Sequence, residues 1–397
     1  MQRDRDTDAS NTHCGGLNGD SVHRMSGIRV AIDASPLLFR SAGVKTYVHH
    51  WTQSLRDQAG ANHVTLFPML DFGGRFDHER SVAGAVGTIS RLALLYGAGL
   101  APIPLLDWFT SGCDIFHASH LIQTAPRKAR LTTTLYDMTC WLMPENHSPA
   151  NVKSSLRVAD TLYRPAAAII AISESARTDA LRLLNLAPEK IHVIYPGVAA
   201  EYFRATHENG KQAALRYGIS KPYALYVGTV EPRKNLKTLL DAWEGLPADA
   251  RGAYDLVVAG AWGWGDDAIL RRLKAGDGGV RYLGYVAEAD LPALTAGAEV
   301  FVYPSLYEGF GLPLAQAMAA GVASITANVS SMPEVAGEAA LLVDPRSPAE
   351  LQAALRQLLE SESLRCDLGE RGRKRAQRFT WEDCARQSWG VFEQVAG

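Results

Sequence analysis

Short apolar runs alternate with amphipathic segments along most of this chain, and that alternation constrains its fold more than any other feature. In the first half, strands are expected at 28–33, 63–69, 114–119, 129–137, 166–173 and 191–197, with helices at 44–58, 152–163 and from Ser173 or Ser175. In the second half, strands at 223–229, 254–260, 280–286, 299–304 and 323–327 alternate with helices at 235–246, 348–360, 381–395 and from residue 364. Several runs are apolar without interruption, which is typical of parallel strands covered on both faces. The sequence therefore predicts an α/β protein with two doubly wound parallel-sheet domains that face a cleft.

The composition fits a globular protein of two or three domains and excludes some classes of function. The chain has 397 residues, of which 47% are hydrophobic and 21% charged. Its net charge of −2 removes the electrostatic basis for binding nucleic acid. No apolar run reaches the roughly 18 residues of a transmembrane helix. The cysteines lack the spacing of a zinc site, so we expect reduced thiols of a cytoplasmic protein: Cys14, Cys113, Cys140, Cys366 and Cys384.

Three stretches lie outside the alternating pattern. Residues 1–26 are polar and lack the apolar run of a signal peptide, so we expect a disordered tail, with Met25 as an alternative start to Met1. The aspartates at 4, 6 and 8 carry no weight as metal ligands in such a tail. The apolar stretch 82–109 favours a core helix and loop; the alternative is a surface that meets a lipid-linked substrate or the bilayer interface. The polar stretch 198–221 fits an interdomain connection.

The stretch 303–318, YPSLYEGFGLPLAQAM, forms a first candidate site. A strand should lead into a turn that holds Glu308, and a helix should begin near Leu312 and Pro313, since proline suits the first helical turn. The free N–H groups at that helix start favour phosphate, and the carboxylate can accept hydrogen bonds from ligand hydroxyls. The turn has glycines on both sides of an aromatic residue, which let the backbone approach a ligand closely: Gly309, Phe310 and Gly311.

A second candidate site is the stretch 228–235, GTVEPRKN. Arg233 and Lys234 precede a helix whose N-cap is expected at Asn235, and two cations beside a helix N-terminus can neutralise a diphosphate. Gly43 lies where the first strand gives way to a helix, at the corresponding edge of the other sheet. Because carboxyl ends of parallel strands share one edge, we expect these turns and Glu308 to converge on one crevice.

These motifs resemble those of the retaining glycosyltransferases of family 4, which have the GT-B fold. The resemblance extends over residues 28–379 and is strongest in the second half, where it is carried by GTVEPRKNL, LVVAG, LGYV, PSLYEGFGLPLAQAMAAG and SSMPEVAGEAALLVDP. It implies an acceptor-side domain over 27–205, a domain that binds the nucleotide-sugar donor over 206–378, and a helix over 379–397 that crosses back to the first domain.

The resemblance also implies roles for individual residues. Arg233 and Lys234 would hold the donor diphosphate, and Glu308 would lie at the hydroxyls of the donor sugar. The other donor-binding positions approach the phosphates and sugar or form the wall of the base pocket: Gly43, Gly228, Thr229, Tyr285, Val286, Gly309, Phe310, Gly311 and Leu312.

Two residues depart from the family pattern. Gln316 stands where the family has a glutamate that binds the ribose, and the loss of charge weakens that interaction by roughly 1–2 kcal/mol. Tyr136, which we include among the catalytic residues, replaces a histidine that reaches the sixth position of the donor sugar. The bulkier ring suggests a donor sugar without a 6-hydroxyl, such as a deoxyhexose. His117 and His120 lie nearby, and we interpret both as structural.

The resemblance implies a retaining hexosyltransferase that needs no metal or other cofactor. Its donor would be a hexose or deoxyhexose linked to GDP, which we favour over UDP on likeness to mannosyltransferases. Its acceptor would be a glycan or lipid-linked saccharide of surface polysaccharide or lipopolysaccharide, with the enzyme in the cytoplasm or at the inner membrane face. The main alternative is a catalytically impaired nucleotide-sugar-binding partner of the same fold; an epimerase or phosphorylase is a third.

Overall fold

The computed structural model describes residues 27–40, 43–71, 76–78, 80–100, 105–119 and 126–397, so the expected tail at 1–26 and His120 lie outside it. Within these residues the strands form two parallel six-stranded sheets. The first sheet has the order β2-β1-β3-β4-β5-β6 and consists of β1 Arg29–Asp33, β2 His63–Phe67, β3 Ile115–Ala118, β4 Arg130–Leu135, β5 Ala168–Ala171 and β6 Ile191–Val193. The second has the order β12-β11-β10-β7-β8-β9 and consists of β7 Tyr223–Val227, β8 Asp255–Ala259, β9 Val280–Gly284, β10 Val300–Tyr303, β11 Ser324–Ala327 and β12 Ala340–Val343.

Helices cover both sheets, as the uninterrupted apolar strands require. In the first half they are α1 Gly43–Asp57, α2 Gly84–Leu100, α3 Leu105–Phe109, α4 Thr139–Leu142, α5 Pro149–Val158, α6 Glu174–Leu184, α7 Ala200–Arg204 and α8 His207–Arg216. In the second half they are α9 Leu236–Glu244, α10 Ala248–Ala253, α11 Asp267–Ala275, α12 Leu291–Ala296, α13 Leu312–Ala319, α14 Met332–Ala336, α15 Pro348–Glu360, α16 Glu362–Ala376 and α17 Trp381–Ala396. The prediction of two doubly wound α/β domains is confirmed.

The second sheet reverses its strand order between β7 and β10, which are paired. From β7 the chain proceeds through β8 and β9 on one side, whereas β10 is followed by β11 and β12 on the other. Such a switch point leaves a crevice at the carboxyl ends of the two strands, where α/β proteins bind ligands. The loops that carry the two candidate motifs follow these two strands.

Helix α17 crosses back from the second half of the chain to the first. It packs against α1, β3 and β5. The Trp51 indole donates a hydrogen bond to Ser388 Oγ at 3.0 Å, and the Trp389 indole donates to the Leu55 carbonyl at 3.1 Å. The crossover helix expected at the end of the chain is therefore present.

The stretch expected to connect the two domains contains α7 and α8, and α7 packs against α12 and α13 beside the second sheet. The expected core helix at 82–109 is confirmed only in part: α2 and α3 lie there and Leu106 is buried, but Val86, Ile89 and Trp108 are 83%, 69% and 72% exposed. Strand β12 was not expected, because its run ALLV is only four residues long and periodicity cannot distinguish so short an apolar run from a helix segment. The predicted domain boundaries stay predictions.

Candidate active site

One cavity of about 670 Å³ lies between the two sheets, and both halves of the chain line it. It brings together every site residue expected from the sequence: Gly43, Tyr136, Gly228, Thr229, Arg233, Lys234, Tyr285, Val286, Glu308, Gly309, Phe310, Gly311, Leu312 and Gln316. Most of them come from the loops that follow β7, β9 and β10. Their convergence therefore follows from the strand order of the second sheet.

A buried charge cluster forms where the β7 and β10 loops meet. Lys234 Nζ lies 2.6 Å from Glu308 Oε1, and Arg233 Nη1 lies 2.9 Å from Glu308 Oε2. The Tyr303 hydroxyl, at the end of β10, donates to Glu308 Oε1 at 2.9 Å and accepts from Lys234 at 2.6 Å. Both oxygens of the carboxylate are thus engaged by cations.

The cluster sets the charge state of its members. Burial alone would raise the pKa of Glu308, but Arg233 and Lys234 outweigh burial and lower it to about 2. Burial also opposes the charge on Arg233, yet Glu308 and Glu231 prevail and raise the pKa of the guanidinium. Burial lowers the pKa of Lys234, an effect that Glu308 offsets only in part. The cleft therefore holds an ionised carboxylate beside a permanent cation.

Several partners of the cluster were not identified from the sequence. Glu231 pairs with Arg233 at 2.7 Å, which makes it a second carboxylate on that guanidinium. Ser330 and Ser331 hold the backbone of Glu308, because Ser330 Oγ accepts from its N–H at 3.0 Å and Ser331 Oγ donates to its carbonyl at 2.9 Å. The serines belong to the SSMPEVAG motif, so that motif supports the Glu308 turn from more than 20 residues away in sequence.

Asn235 occupies the expected N-cap position of α9, but its side chain does not cap the helix. Its backbone is left-handed, with φ of 60°, and its amide donates to the carbonyls of Pro304 at 2.9 Å and Pro345 at 2.6 Å. The residue therefore ties the loop after β7 to the loops after β10 and β12. This tie fixes the two cations relative to Glu308.

Helix α13 starts at Leu312, as expected, with Gly311 as its N-cap and Pro313 in its first turn. Gly311 has φ of 94°, a conformation that side chains rarely adopt. Gly309 contacts the other half of the chain: a Cβ at that position would lie 1.8 Å from the Tyr136 carbonyl oxygen. Glycine is required there because two backbones meet across the cleft.

Tyr136 lies on the first-sheet side of the cavity. Its ring packs edge-on against Tyr47, with 5.4 Å between centroids, and burial raises the pKa of its phenol. His117 is buried, and its ring nitrogens contact the hydroxyls of Thr132 and Thr134 at 2.9 and 2.8 Å. The structural interpretation of His117 is thus confirmed.

Direct contacts between the two halves close the cleft at a second point. The Glu334 carboxylate in α14 accepts from the N–H groups of Glu174 and Ser175, at 2.7 and 3.0 Å, at the start of α6. The Tyr307 hydroxyl donates to Asp179 Oδ2 at 2.7 Å. A carboxylate of the second half therefore stabilises a helix N-terminus of the first.

Other features of the described residues bear on the expectations. The four cysteines among them are free. Their side chains form no group of three or more potential metal ligands. Among the helices described, none combines the length and the apolar character that crossing a membrane requires.

Two Rossmann-like sheets facing a cleft, with cations and a helix start at the switch point of the second sheet, define the GT-B architecture. The solved structure of HepE from Anabaena, in complex with UDP-glucose, superposes with a TM-score of 0.70 at 18% identity, and the match covers 92% of this chain and 99% of that one. This likeness shows the fold.

Sequence comparisons give the family. Residues 41–202 match Glycosyltransferase Family 4, and residues 213–375 match Glycosyl transferases group 1. O-antigen chain mannosyltransferase B of Escherichia coli is 36% identical over 270 residues, which are 67% of this chain and 71% of that protein. MMP alpha-(1->4)-mannosyltransferase of Mycolicibacterium hassiacum is 31% identical over 232 residues, 57% of this chain and 54% of that protein. The chain belongs to glycosyltransferase family 4.

Proposed function

We propose that this protein transfers a mannose-configured hexose from a GDP-linked donor to a saccharide acceptor, with retention at the anomeric carbon. The observation that carries the proposal is the buried cluster of Arg233, Lys234 and Glu308 beside the start of α13. Two relatives named as mannosyltransferases support the choice of sugar. The name of the first, an O-antigen chain enzyme, supports a role in surface polysaccharide or lipopolysaccharide assembly.

In this mechanism the leaving group is the nucleoside diphosphate. Arg233, Lys234 and the N–H groups at the start of α13 stabilise the charge that develops on its phosphate, the electrostatic effect that contributes most in such sites. The departing phosphate accepts the proton of the acceptor hydroxyl, and the new glycosidic bond forms on the same face. A metal ion is not required in this scheme, and activity in EDTA tests that point.

Glu308 positions the donor sugar and does not attack it. Both of its oxygens are held by cations, and its low pKa keeps it ionised, so it is neither a free nucleophile nor a general acid. Glu231 is paired with Arg233, and Asp137 accepts from the Thr139 hydroxyl at 2.6 Å. A hydrolase requires two carboxylates free to act on opposite sides of the bond, and these pairings do not support one.

The acceptor-side proposal draws on the first half of the chain. Val86, Ile89 and Trp108 form exposed apolar surface on α2 and α3, which suits a lipid-linked saccharide or peripheral contact with the inner membrane face. We place the acceptor in the domain over 27–205 and the donor in the domain over 206–378. The catalytically impaired partner is not favoured, because the charge cluster is complete.

A second candidate donor carries a 6-deoxy sugar. The ring of Tyr136 lines the cavity where the family has a histidine, and its backbone contacts Gly309 closely. A bulky phenol there leaves less room for a 6-hydroxyl. Relative turnover of GDP-mannose and its 6-deoxy counterpart, in the wild type and in Tyr136→His, separates the two donors.

The test is a donor panel with mass-spectrometric detection of a glycosylated acceptor. The wild type is expected to transfer from a GDP-linked hexose and to give a product of retained configuration. Lys234→Ala should lose transfer, while Lys237→Ala, with its side chain 72% exposed at the start of α9, should keep it. Inverted product, or equal activity of Lys234→Ala and the wild type, would contradict the proposal.

A further inference from the structure

Glu288 is a half-buried carboxylate that the charge cluster does not use. It lies in the turn between β9 and α12, and its side chain lines the cavity with Val286. Its Oε2 is shielded from solvent and makes no hydrogen bond within the part of the chain that the structure describes. Nδ1 of His78, in the first half of the chain, lies 3.3 Å from this oxygen.

A neighbouring carboxylate differs from Glu288, because side chains of the protein already donate hydrogen bonds to it. Asp290, in the same turn, accepts from Arg216 at 2.7 Å and from the Tyr217 hydroxyl at 2.8 Å. Asp290 is thus paired within the protein, whereas Glu288 keeps acceptor capacity at the wall of the cavity. A carboxylate oxygen that is shielded from water and accepts no hydrogen bond is energetically unfavourable, so a ligand that donates to this carboxylate is favoured.

The position of Glu288 indicates which part of a ligand would meet it. Lys234 and the start of α13 mark the phosphate end of the cavity, and Gln316 lies one turn further along α13. Helix α12, which begins at Leu291, packs against α13. The turn before α12 therefore lies on the side towards which a nucleoside extends from its phosphates, beside the half-exposed ring of Tyr285.

The chemistry of the nucleobases distinguishes among them at such a carboxylate. Guanine presents two adjacent donors, N1–H and the 2-amino group, that match the two oxygens of a carboxylate. Uracil and thymine present one N–H between two carbonyls, which a carboxylate repels, and adenine presents an acceptor at N1. A carboxylate at the base end of the cavity therefore selects guanine.

We propose that Glu288 is the specificity-determining residue for a guanine nucleotide, accepting hydrogen bonds from N1–H and the 2-amino group. This inference rests on the proposed function and deepens it, because it assigns the donor base from a residue of this chain. In this arrangement Tyr285 and Val286 pack against the faces of the base, and Glu288 accepts hydrogen bonds from its edge.

The test compares GDP, IDP and UDP by titration calorimetry on the full chain. IDP retains N1–H and both phosphates but lacks the 2-amino group, so the GDP-to-IDP affinity ratio isolates one hydrogen bond to the carboxylate. The wild type should bind GDP roughly tenfold or more tightly than IDP, and UDP more weakly still. Glu288→Gln should bring GDP and IDP within about threefold, because the amide offers one acceptor and one clashing donor. Asp290→Asn, the same change of charge in the same turn, should keep the wild-type ratio.

The outcomes separate this inference from the proposed function. Equal wild-type affinity for GDP and IDP, or an unchanged ratio in Glu288→Gln, overturns the role of Glu288. Binding and transfer with a UDP-linked donor, abolished by Lys234→Ala, overturns guanine selection but leaves glycosyl transfer standing. Absence of binding to any of the three at millimolar concentration overturns both. Glu288→Ala and thermal unfolding of each variant show that a changed ratio does not come from misfolding.

Discussion

Lys234 and Glu308 form a buried ion pair, with 2.6 Å between Nζ and Oε1, and Arg233 holds the second oxygen of the same carboxylate. The two cations expected to receive a diphosphate are thus fixed in place by an internal anion. The same carboxylate ionises far below neutral pH, so the arrangement persists over the physiological range. Donor binding adds negative charge to a preorganised site.

Replacing Glu308 with Gln should lower the stability of the free protein and abolish transfer. The substitution leaves two buried cations with one fewer anion, which costs about 3–5 kcal/mol in free energy of unfolding. GDP should raise the unfolding temperature of this variant more than that of the wild type, since the diphosphate replaces the lost charge. Chemical denaturation with and without GDP measures both effects. Glu338→Gln, at an exposed site, should leave them unchanged.

The same residue should determine part of the acid stability. The pKa of Glu308 is about 2 in the folded protein against an ordinary value of 4.5, so its contribution is complete above pH 4.5 and is lost as the pH falls towards 2. The free energy of unfolding at pH 3, 4 and 6 should therefore decline more steeply in the wild type than in Glu308→Gln. Parallel curves would contradict the lowered pKa.

Gly309→Ala should impair transfer without unfolding either domain. The added Cβ would lie 1.8 Å from the Tyr136 carbonyl oxygen, so the two halves must move apart. A displacement of about 1 Å can lower the rate of an enzyme roughly 100-fold, and we expect a loss of at least that size. Steady-state kinetics, with circular dichroism for the fold, measure the loss. Gly252→Ala is the matched control, because its Cβ meets no atom within 4 Å in helix α10. An active Gly309→Ala would show that this contact does not limit catalysis.

Glu334→Ala should weaken closure of the cleft. The carboxylate accepts two N–H groups at the start of α6, and their loss removes roughly 1.5–3 kcal/mol of charge-assisted hydrogen bonding between the halves. The donor KM should rise and kcat should fall, with partial recovery in Glu334→Gln, whose amide oxygen still accepts. Kinetics beside the exposed Glu338→Ala control give the comparison. Unchanged constants would place the closing contacts elsewhere.

The preference for GDP over IDP should increase with pH. Burial, reinforced by Glu201, raises the pKa of Glu288 to about 7, whereas burial lowers that of the facing His78 to about 4. Between pH 6 and 8 the carboxylate ionises while the imidazole stays neutral, and Tyr202, also near, has its pKa raised by burial. The ratio of affinities cancels the titration of the phosphates, which both nucleotides share. A ratio independent of pH in the wild type would contradict the assignment, and Glu288→Gln should give a flat profile.

The local elements of this protein could be read from its sequence because each has a local cause. Helix α15 has the predicted bounds, Ser173 caps α6 by accepting from Ala176, and α13 begins at Leu312 behind a glycine. Strand order brought Arg233, Lys234 and Glu308 together as expected. Each of these features depends on residues within one or two turns or on the common edge of a parallel sheet.

The contacts that sequence reasoning missed join residues far apart in the chain. Glu334 meets Glu174 about 160 positions away, and His78 faces Glu288 from the other half. Local periodicity contains no information on such pairs. The prediction of burial was wrong for Val86 and Ile89, which are exposed. An apolar run predicts burial, but the sequence does not show whether another part of the fold covers that run.

Helix α17 makes the packing of the first half of the chain depend on the last residues to be synthesised. Trp51 is 1% exposed because α17 covers it, yet residues 381–396 are translated only after the entire second sheet. At ribosomal speeds the first sheet waits on the order of ten seconds or more for this cover. The half that is synthesised first therefore cannot complete its packing until the second half has followed it.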